Sequence, residues 1–386
     1  MKILLCGGGT AGHITPLLAV ARDLRALQPD VELHFVGQKG DKNIEVIEQS
    51  EFDITVHTVS AGKFRRYHDE NLLQRLLDVK TNILNLRDFF RVVAGYSQSR
   101  KLLRTLRPDV AFFKGGFVAV PVGRACRHLK IPYITHDSDT APGLANRLIA
   151  GSAYKHAVAH EGITAYPKEK IVVTGIPLSA EYSIRRGLHQ NTYRPQLGLD
   201  VNSQVVFVFT GTQGARIVDD ALEQCVEGLL RDFPKLVIVQ VFGRLNEGGL
   251  ESRYEHLASE LKQRIVKLTF INNAFDYISA ADIVVGRAGA TTTAECATIG
   301  RCSIIIPAEQ LSGGHQLSNA ESMGDAVLVV REGTLPKGLD DALRYLLTHE
   351  EARKEYEEKI KHLVPMNASE TIARLLINSI KGGRDV

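Results

Sequence analysis

Short apolar runs bounded by glycine or proline alternate along the 386-residue chain with stretches whose apolar residues recur at helical spacing. That alternation marks parallel α/β sheets. Their strands are buried on both faces and read as continuous Val, Ile, Leu and Phe. In the first half, strands are expected at 2–6, 32–36, 54–59, 110–113, 133–135, 156–159 and 171–174. The second half restarts with strands at 204–210, 237–240, 265–270, 283–285, 303–306 and 326–330. Between them, 183–199 is polar and turn-rich, with Arg185-Arg186-Gly187 and Pro195, and reads as a linker. Two doubly wound Rossmann-like domains follow, 1–182 and 200–365. Ligands in such sheets bind beyond the carboxyl ends of the strands, and two of them facing each other leave a cleft. Late helices are expected at 339–348 and 350–364. Pro365 breaks the second, and Asn367 with Glu370 makes a capping-box-like start for a last helix at 368–379.

Composition changes this picture little. Charged residues at 24% and apolar residues at 44% describe an ordinary globular protein, and no run of about 18 apolar residues suggests a spanning helix. The amino terminus enters a strand directly, with no signal-peptide pattern, so export is not expected. The five cysteines show no Cys-x-x-Cys pairing and read as reduced, buried thiols of a cytosolic protein. The net charge of +3 is uneven: residues 63–107 hold 11 Lys/Arg against 4 Asp/Glu. An excess of that kind suits a polyanion or an anionic membrane face, against the plainer alternative of a solvated surface.

The candidate chemistry lies at strand exits. Gly7-x-Gly9-x-x-Gly12 follows the first strand and matches the dinucleotide fingerprint. Such a site needs an acid at the end of the second strand to hold ribose, and here that strand ends Val36-Gly37-Gln38. Instead His13 directly follows the last glycine, an imidazole suited to general-base work. Gly115-Gly116 follows another strand. His136, Asp137 and Asp139 follow the next, and Asp137-Ser138-Asp139 has the D-x-D shape of some metal sites. In the second half, Gly211-Thr212-Gln213-Gly214 leads from a strand into a helix, a turn whose N–H groups can receive phosphate. The stretch Asp282–Gly300 is more specific. A strand, a small-residue turn and a helix beginning at Ala290, Thr291 and Thr292 set free N–H groups where a diphosphate fits, and Glu295 follows one turn on to accept from two vicinal hydroxyls. Past a buried strand, His315, Gln316 and Asn319 open another helix, with amides suited to sugar hydroxyls. Each of these has a plain alternative, a tight turn or a capped helix. The combination is harder to dismiss than its parts.

With these residues assembled, the chain resembles the GT-B glycosyltransferases of family 28, the bacterial peptidoglycan N-acetylglucosaminyltransferases. The resemblance runs over nearly the whole chain, in order: Gly12-His13 with Pro16, Lys114-Gly115-Gly116-Phe117, Gly211–Arg216, Arg287-Ala288-Gly289-Ala290 with Thr292 and Glu295, and His315-Gln316-x-x-Asn319-Ala320. It implies inverting transfer of N-acetylglucosamine from UDP-N-acetylglucosamine to a lipid-linked muramyl-pentapeptide. No cofactor, metal or nucleic acid is called for. It implies that backbone near Phe270 and Ile271 reads uracil, that Glu295 holds the ribose, and that Thr212, Gln213, Gly214, Ala290, Thr291 and Thr292 hold the diphosphate. His315, Gln316 and Asn319 would read the sugar, and Thr10 and Gly12 join the donor-binding set. Gly115, Gly116 and His136 fall on the acceptor side. His13 is the candidate base or acceptor organiser, with Asp139 as the other candidate base. By the same analogy 366–386 packs back on the first domain.

Two departures fall on the acceptor side: His136-Asp137-Ser138-Asp139 stands where the family usually has His-Glu-Gln-Asn, and Ser179 follows Gly175-Ile-Pro-Leu near where the family has an Arg. The alternatives are a related GT-B enzyme with another lipid acceptor, such as a diacylglycerol glycosyltransferase, a sugar-nucleotide epimerase, a nicotinamide-dependent oxidoreductase and a non-catalytic membrane-surface scaffold. The basic stretch 63–107 carries Leu72, Leu73, Leu76, Leu77, Ile83, Leu84, Phe89, Phe90, Val92 and Val93 among Arg75, Lys80, Arg87 and Arg91. Such apolar residues are usually core. Beside an acceptor domain they suit peripheral attachment at the cytoplasmic face of an anionic membrane.

Overall fold

The structure, a computed structural model, describes residues 1–9, 11–63, 78–243, 252–309 and 315–382. Thr10 and the stretch 64–77, with Leu72, Leu73, Arg75, Leu76 and Leu77, lie outside the described residues.

The chain divides into two compact units. The first is Met1–Ser179 together with the chain from Asn367 on, and the second is Ala180–Met366. The first unit holds seven parallel strands: β1 (Lys2–Cys6), β2 (Glu32–Gln38), β3 (Ile54–Val59), β4 (Val110–Phe113), β5 (Tyr133–Asp137), β6 (Lys155–Val158) and β7 (Ile171–Val173). Their order across the sheet is β3-β2-β1-β4-β5-β6-β7. The winding therefore reverses between β1 and β4, and the loops leaving these two strands share one crevice. In β1, Ile3, Leu4 and Leu5 are all fully buried, which is why the strand reads as an unbroken apolar run. Ile3 and Leu5 pack with Leu17, Val20 and Leu24 of the helix Thr15–Leu27 and with Ile372, Ala373 and Leu376 of the last helix, Ala368–Gly382. Leu4 and Cys6 point the other way, toward Val118, Val122 and Cys126 on or beside the helix Ala119–Leu129.

The second unit repeats the plan with six parallel strands: β8 (Gln204–Phe209), β9 (Leu236–Val241), β10 (Ile265–Leu268), β11 (Ile283–Gly286), β12 (Ser303–Ile305) and β13 (Leu328–Val329), in the order β10-β9-β8-β11-β12-β13. Here the reversal falls between β8 and β11. β13 is shorter than its apolar pattern suggests because Gly324–Ala326 turns as a 3-10 helix before it.

The stretch read as a linker is part of the second unit. Ala180–Ile184 is helical, and Gln190–Thr192 and Pro195–Leu197 are 3-10 turns. Its arginines are paired rather than solvated. Arg194, 4% exposed, donates to Asp282 Oδ2 at 2.7 Å and to the Ala280 carbonyl at 3.1 Å. Arg185 donates to Asp276 Oδ1 at 2.8 Å. An ion pair between residues far apart in the chain leaves no mark on local composition.

Candidate functional site

In the first unit the loops leaving β1, β4 and β5 meet at the carboxyl edge of the sheet. Gly9 N–H donates to Asp41 Oδ2 at 2.7 Å, which anchors the first glycine turn to the end of β2. The chain then makes the 3-10 turn Ala11–His13, in which Gly12 and His13 are half-buried. His13 Nδ1 lies 2.9 Å from the Gly8 carbonyl oxygen. A carbonyl can only accept, so Nδ1 carries the proton and the lone pair of the neutral ring is on Nε2. Burial, followed by the positive charge of Lys114, holds the imidazole below its ordinary range. The Gly8 carbonyl and Asp139 pull the other way. His13 is thus neutral near pH 7, with a basic nitrogen to offer.

Gly115 and Gly116 lie against this turn with φ of 110° and 82°. A Cβ on Gly116 would sit 2.5 Å from the Gly8 carbonyl oxygen and 3.3 Å from His13 Nδ1. The second glycine loop therefore lets the first one close, and the two glycines bear on the orientation of His13. Lys114, 3% exposed, donates from Nζ to Ser138 Oγ at 2.6 Å. Burial lowers its pKa to about 8 in spite of the carboxylates of Asp137 and Asp139. Sequence reasoning gave this lysine no role, although an ionisable residue directly after four apolar strand residues was a signal to read.

His136 and Asp137 are not in the loop after β5. The strand runs on through Asp137, and His136 is completely buried. His136 Nε2 donates to the Gly175 carbonyl at 2.9 Å, and burial pushes its imidazole far below the usual range. It ties β5 to the chain beyond β7 and offers no surface to an acceptor. Asp137 is equally committed. Oδ1 accepts from Gly143 N–H at 2.9 Å and Asn146 Nδ2 at 3.0 Å, and Oδ2 accepts from Tyr166 OH at 2.7 Å. Both its oxygens are occupied by protein donors, so the D-x-D motif is not presented as a ligand pair. Asp139, half-buried, is the carboxylate that influences His13, Lys114 and His160 together.

In the second unit, Gly211-Thr212-Gln213-Gly214 leaves β8 with Thr212 and Gln213 exposed, and Gly214 N–H closes the turn on the Gly211 carbonyl at 3.1 Å. The neighbouring strand β11 leads through Arg287 and Ala288 to the helix Ala290–Ile299. Gly289 is its N-cap and contributes no side chain, so the amides of Ala290, Thr291 and Thr292 precede the first intrahelical bond, from Thr293 N–H to the Gly289 carbonyl. A Cβ built on Gly289 meets no atom of the described residues within 4 Å. Free amides at the positive end of a helix are groups that suit an anion. Around them, Arg287 Nη2 donates to Glu332 Oε1 at 2.6 Å, Asn319 Nδ2 to the Ala288 carbonyl at 3.0 Å, and Ala308 N–H to Gln316 Oε1 at 3.0 Å. Asn319 is buried and braces the β11 loop. His315 and Gln316 are half-buried beside it.

Glu295, one turn into the helix, accepts from Tyr182 OH at 2.8 Å on Oε1. Burial raises its carboxyl to about 7, and the Tyr182 hydroxyl moderates the rise. Tyr182 escaped the sequence reading altogether. Phe270, 45% exposed, and Ile271 follow β10 at the same edge of the sheet. The structure thus sets Thr212, Gln213, Gly214, Ile271, Ala290, Thr291, Thr292, Glu295, His315, Gln316 and Asn319 in the second unit, and Gly12, which was expected with them, beside His13, Gly115, Gly116 and Asp139 in the first.

Two family models match the chain: the glycosyltransferase family 28 N-terminal domain over residues 3–158, and the C-terminal domain over residues 205–372. A UDP-N-acetylglucosamine--N-acetylmuramyl-(pentapeptide) pyrophosphoryl-undecaprenol N-acetylglucosamine transferase of Lachnoclostridium phytofermentans is 34% identical over 97% of this chain and 98% of its own. A protein of the same name from Bacillus pumilus is 31% identical over 87% of each. A crystal structure of MurG from Acinetobacter baumannii, 21% identical, matches with a TM-score of 0.71 over 98% of this chain and 99% of that one. That likeness bears on fold, and the two parallel-sheet α/β units are those of the GT-B class. With both halves matched in order and most of each relative's length covered, the chain belongs to glycosyltransferase family 28.

Proposed function

We propose that this protein is an inverting N-acetylglucosaminyltransferase, moving the sugar from UDP-N-acetylglucosamine to the muramyl-pentapeptide of a lipid-linked acceptor and so forming the disaccharide precursor of peptidoglycan. The observation that carries this substrate pair is the end-to-end match, at 34% identity, to a transferase so named. The local chemistry fits it. The bare N-terminus at Ala290–Thr292 and the turn at Thr212–Gly214 receive the diphosphate, Glu295 the ribose, the backbone at Ile271 the base, and His315, Gln316 and Asn319 the sugar. In the reaction an acceptor hydroxyl oxygen bonds to the anomeric carbon as the bond from that carbon to the phosphate oxygen breaks. His13 Nε2 takes the hydroxyl proton, and UDP leaves with its charge held by the amides. His13 serves better than Asp139 as this base, because its free lone pair is fixed by the Gly8 contact and its low pKa keeps it neutral.

Attachment to an anionic membrane belongs to the same reading. No helix among the described residues is long and apolar enough to cross a membrane. On the helix Val79–Leu106, however, Ile83, Leu86, Phe89, Phe90 and Val93 are all exposed, by 48 to 63%. Arg87 and Arg91 stand among them, each paired to the buried Asp88. A fringe of cations around exposed aromatic and aliphatic residues suits the interface of an anionic bilayer at the cytoplasmic face. Flotation with anionic liposomes at low salt is expected to carry the protein upward, and Phe90→Glu to abolish this.

UDP release from UDP-N-acetylglucosamine, with and without a lipid-linked muramyl-pentapeptide analogue, tests the activity. Acceptor-dependent release that is lost in Glu295→Ala is the expected result. UDP binding without such release would refute the acceptor, and absence of nucleotide binding would refute the transferase.

A further inference from the structure

We propose that Tyr182 is a positioning residue for the nucleotide: its hydroxyl holds one oxygen of Glu295 so that the other is presented to the vicinal hydroxyls of a ribonucleoside diphosphate. The inference rests on the ribose-holding role of Glu295 proposed above.

Tyr182 lies in the short helix Ala180–Ile184, which packs against the helix carrying Glu295. It is 7% exposed, and its OH–Oε1 distance is 2.8 Å. Among the described residues this is the one hydrogen bond found for the Glu295 carboxylate. The ring is held from behind. It meets Phe275 edge-on, with centroids 5.7 Å apart and planes at 89°. The Arg185 guanidinium caps Phe275 at 4.5 Å from its centroid and is itself fixed by Asp276 at 2.8 Å and by the Glu181 carbonyl at 3.0 Å. The hydroxyl therefore has little freedom, and the carboxylate plane is set by it.

A carboxylate has about four acceptor positions, and a desolvated one needs more than one donor to stay ionised. Tyr182 supplies a single donor, on one oxygen. A cis-diol supplies two more, in the geometry that the remaining oxygen can meet. Without the tyrosine, Glu295 is free to turn and is more readily protonated, and both changes weaken its grip on the diol. A deoxygenated sugar gains nothing from Glu295 and is indifferent to either change.

The experiment compares equilibrium binding of UDP and of 2′,3′-dideoxy-UDP to the full-length chain and its variants. Wild type is expected to prefer UDP. Tyr182→Phe, which removes one oxygen and keeps the ring on Phe275, is expected to shrink that preference about tenfold while leaving dideoxy-UDP affinity unchanged. Equal weakening of both nucleotides would make Tyr182 a packing residue only, and an unchanged preference would show that Glu295 needs no alignment. Either result overturns the proposal. Glu295→Gln keeps an oxygen for Tyr182 but presents an amide to the sugar, and it separates the two readings. If it loses the preference while Tyr182→Phe retains it, the positioning role alone fails. If the preference persists in Glu295→Gln, or wild type has none, the ribose reading of Glu295 fails and takes the positioning role with it.

Discussion

Placing a methyl group on Gly289 separates a diphosphate site from an ordinary helix start. The residue has φ −72° and ψ 130°, a conformation open to alanine, and the added Cβ meets no described atom within 4 Å. Alanine is a poorer N-cap than glycine by about 1 kcal/mol. The loss of chain freedom in the unfolded state returns about 0.4–1 kcal/mol of this. The net effect on the fold is therefore within about 1 kcal/mol, or about 2–4 °C in Tm for a unit of this size. For an anion the balance is different. The methyl stands beside the amides of Ala290, Thr291 and Thr292 and keeps a phosphate oxygen from at least one of them. A hydrogen bond to a charged group contributes about 1.5–3 kcal/mol, so UDP should bind about 10- to 150-fold more weakly in Gly289→Ala. Titration calorimetry with UDP and a thermal melt measure the two quantities on one preparation. A Kd within about twofold of wild type, with Tm unchanged, would refute the assignment of the diphosphate to this helix start. A collapse of Tm would show that the empty volume around Gly289 is needed for folding instead.

Further outcomes follow from the geometry. His13→Ala should lower kcat by about 10²–10⁴-fold with UDP affinity unchanged, read by steady-state kinetics beside direct UDP binding. Gly116→Ala should destabilise the first unit by about 1–3 kcal/mol or more, because its φ of 82° disfavours any side chain and its Cβ would overlap the Gly8 carbonyl; urea unfolding measures this. Lys114→Met should raise the His13 pKa by removing a nearby positive charge, visible as a shift of the His13 imidazole resonance in an NMR titration. Glu295 must be ionised to accept from ribose and has a pKa of about 7, so UDP affinity should fall as pH drops from about 8 to about 6, and Glu295→Gln should flatten that profile. The same raised pKa means that the ionised group detracts from stability above about pH 7 and no longer does so below the ordinary carboxylate range. Glu295→Gln should therefore raise Tm at about pH 8 and not at about pH 4.

What the sequence made legible has a common cause. The thirteen strands among the described residues are all parallel and most are buried on both faces, so each stands out as an apolar run that needs no partner to be recognised. The turns at their exits must accommodate a close approach or a bare helix start, so glycine marks Gly116 and Gly289 directly. Features that depend on approach between distant segments were hidden. Whether His136 sat in a loop or inside β5 turned on two residues of strand length, and that decided between an exposed side chain and a buried tie to Gly175. The ion pairs Arg185–Asp276 and Arg194–Asp282 made a structured region of what reads as a polar connection. Tyr182 meets Glu295 across 113 positions of sequence. On the helix Val79–Leu106 apolar periodicity is ambiguous by nature: spacing shows that the residues share a face but not whether that face is covered, and the exposed Ile83, Leu86 and Phe90 show that theirs is not.

The last helix bears on how the protein is made. Ile372, Ala373 and Leu376, packed against Leu17 and Val20, complete the hydrophobic layer on one side of β1. Those residues are made after every described strand of both sheets. The first unit therefore has to wait, with Ile3, Leu5 and Leu17 short of their final cover, while the second unit, contiguous from Ala180 to Met366, can finish folding ahead of it. Order of synthesis and order of folding run in opposite directions in this chain. Loss of the helix Ala368–Gly382 is therefore felt first at β1.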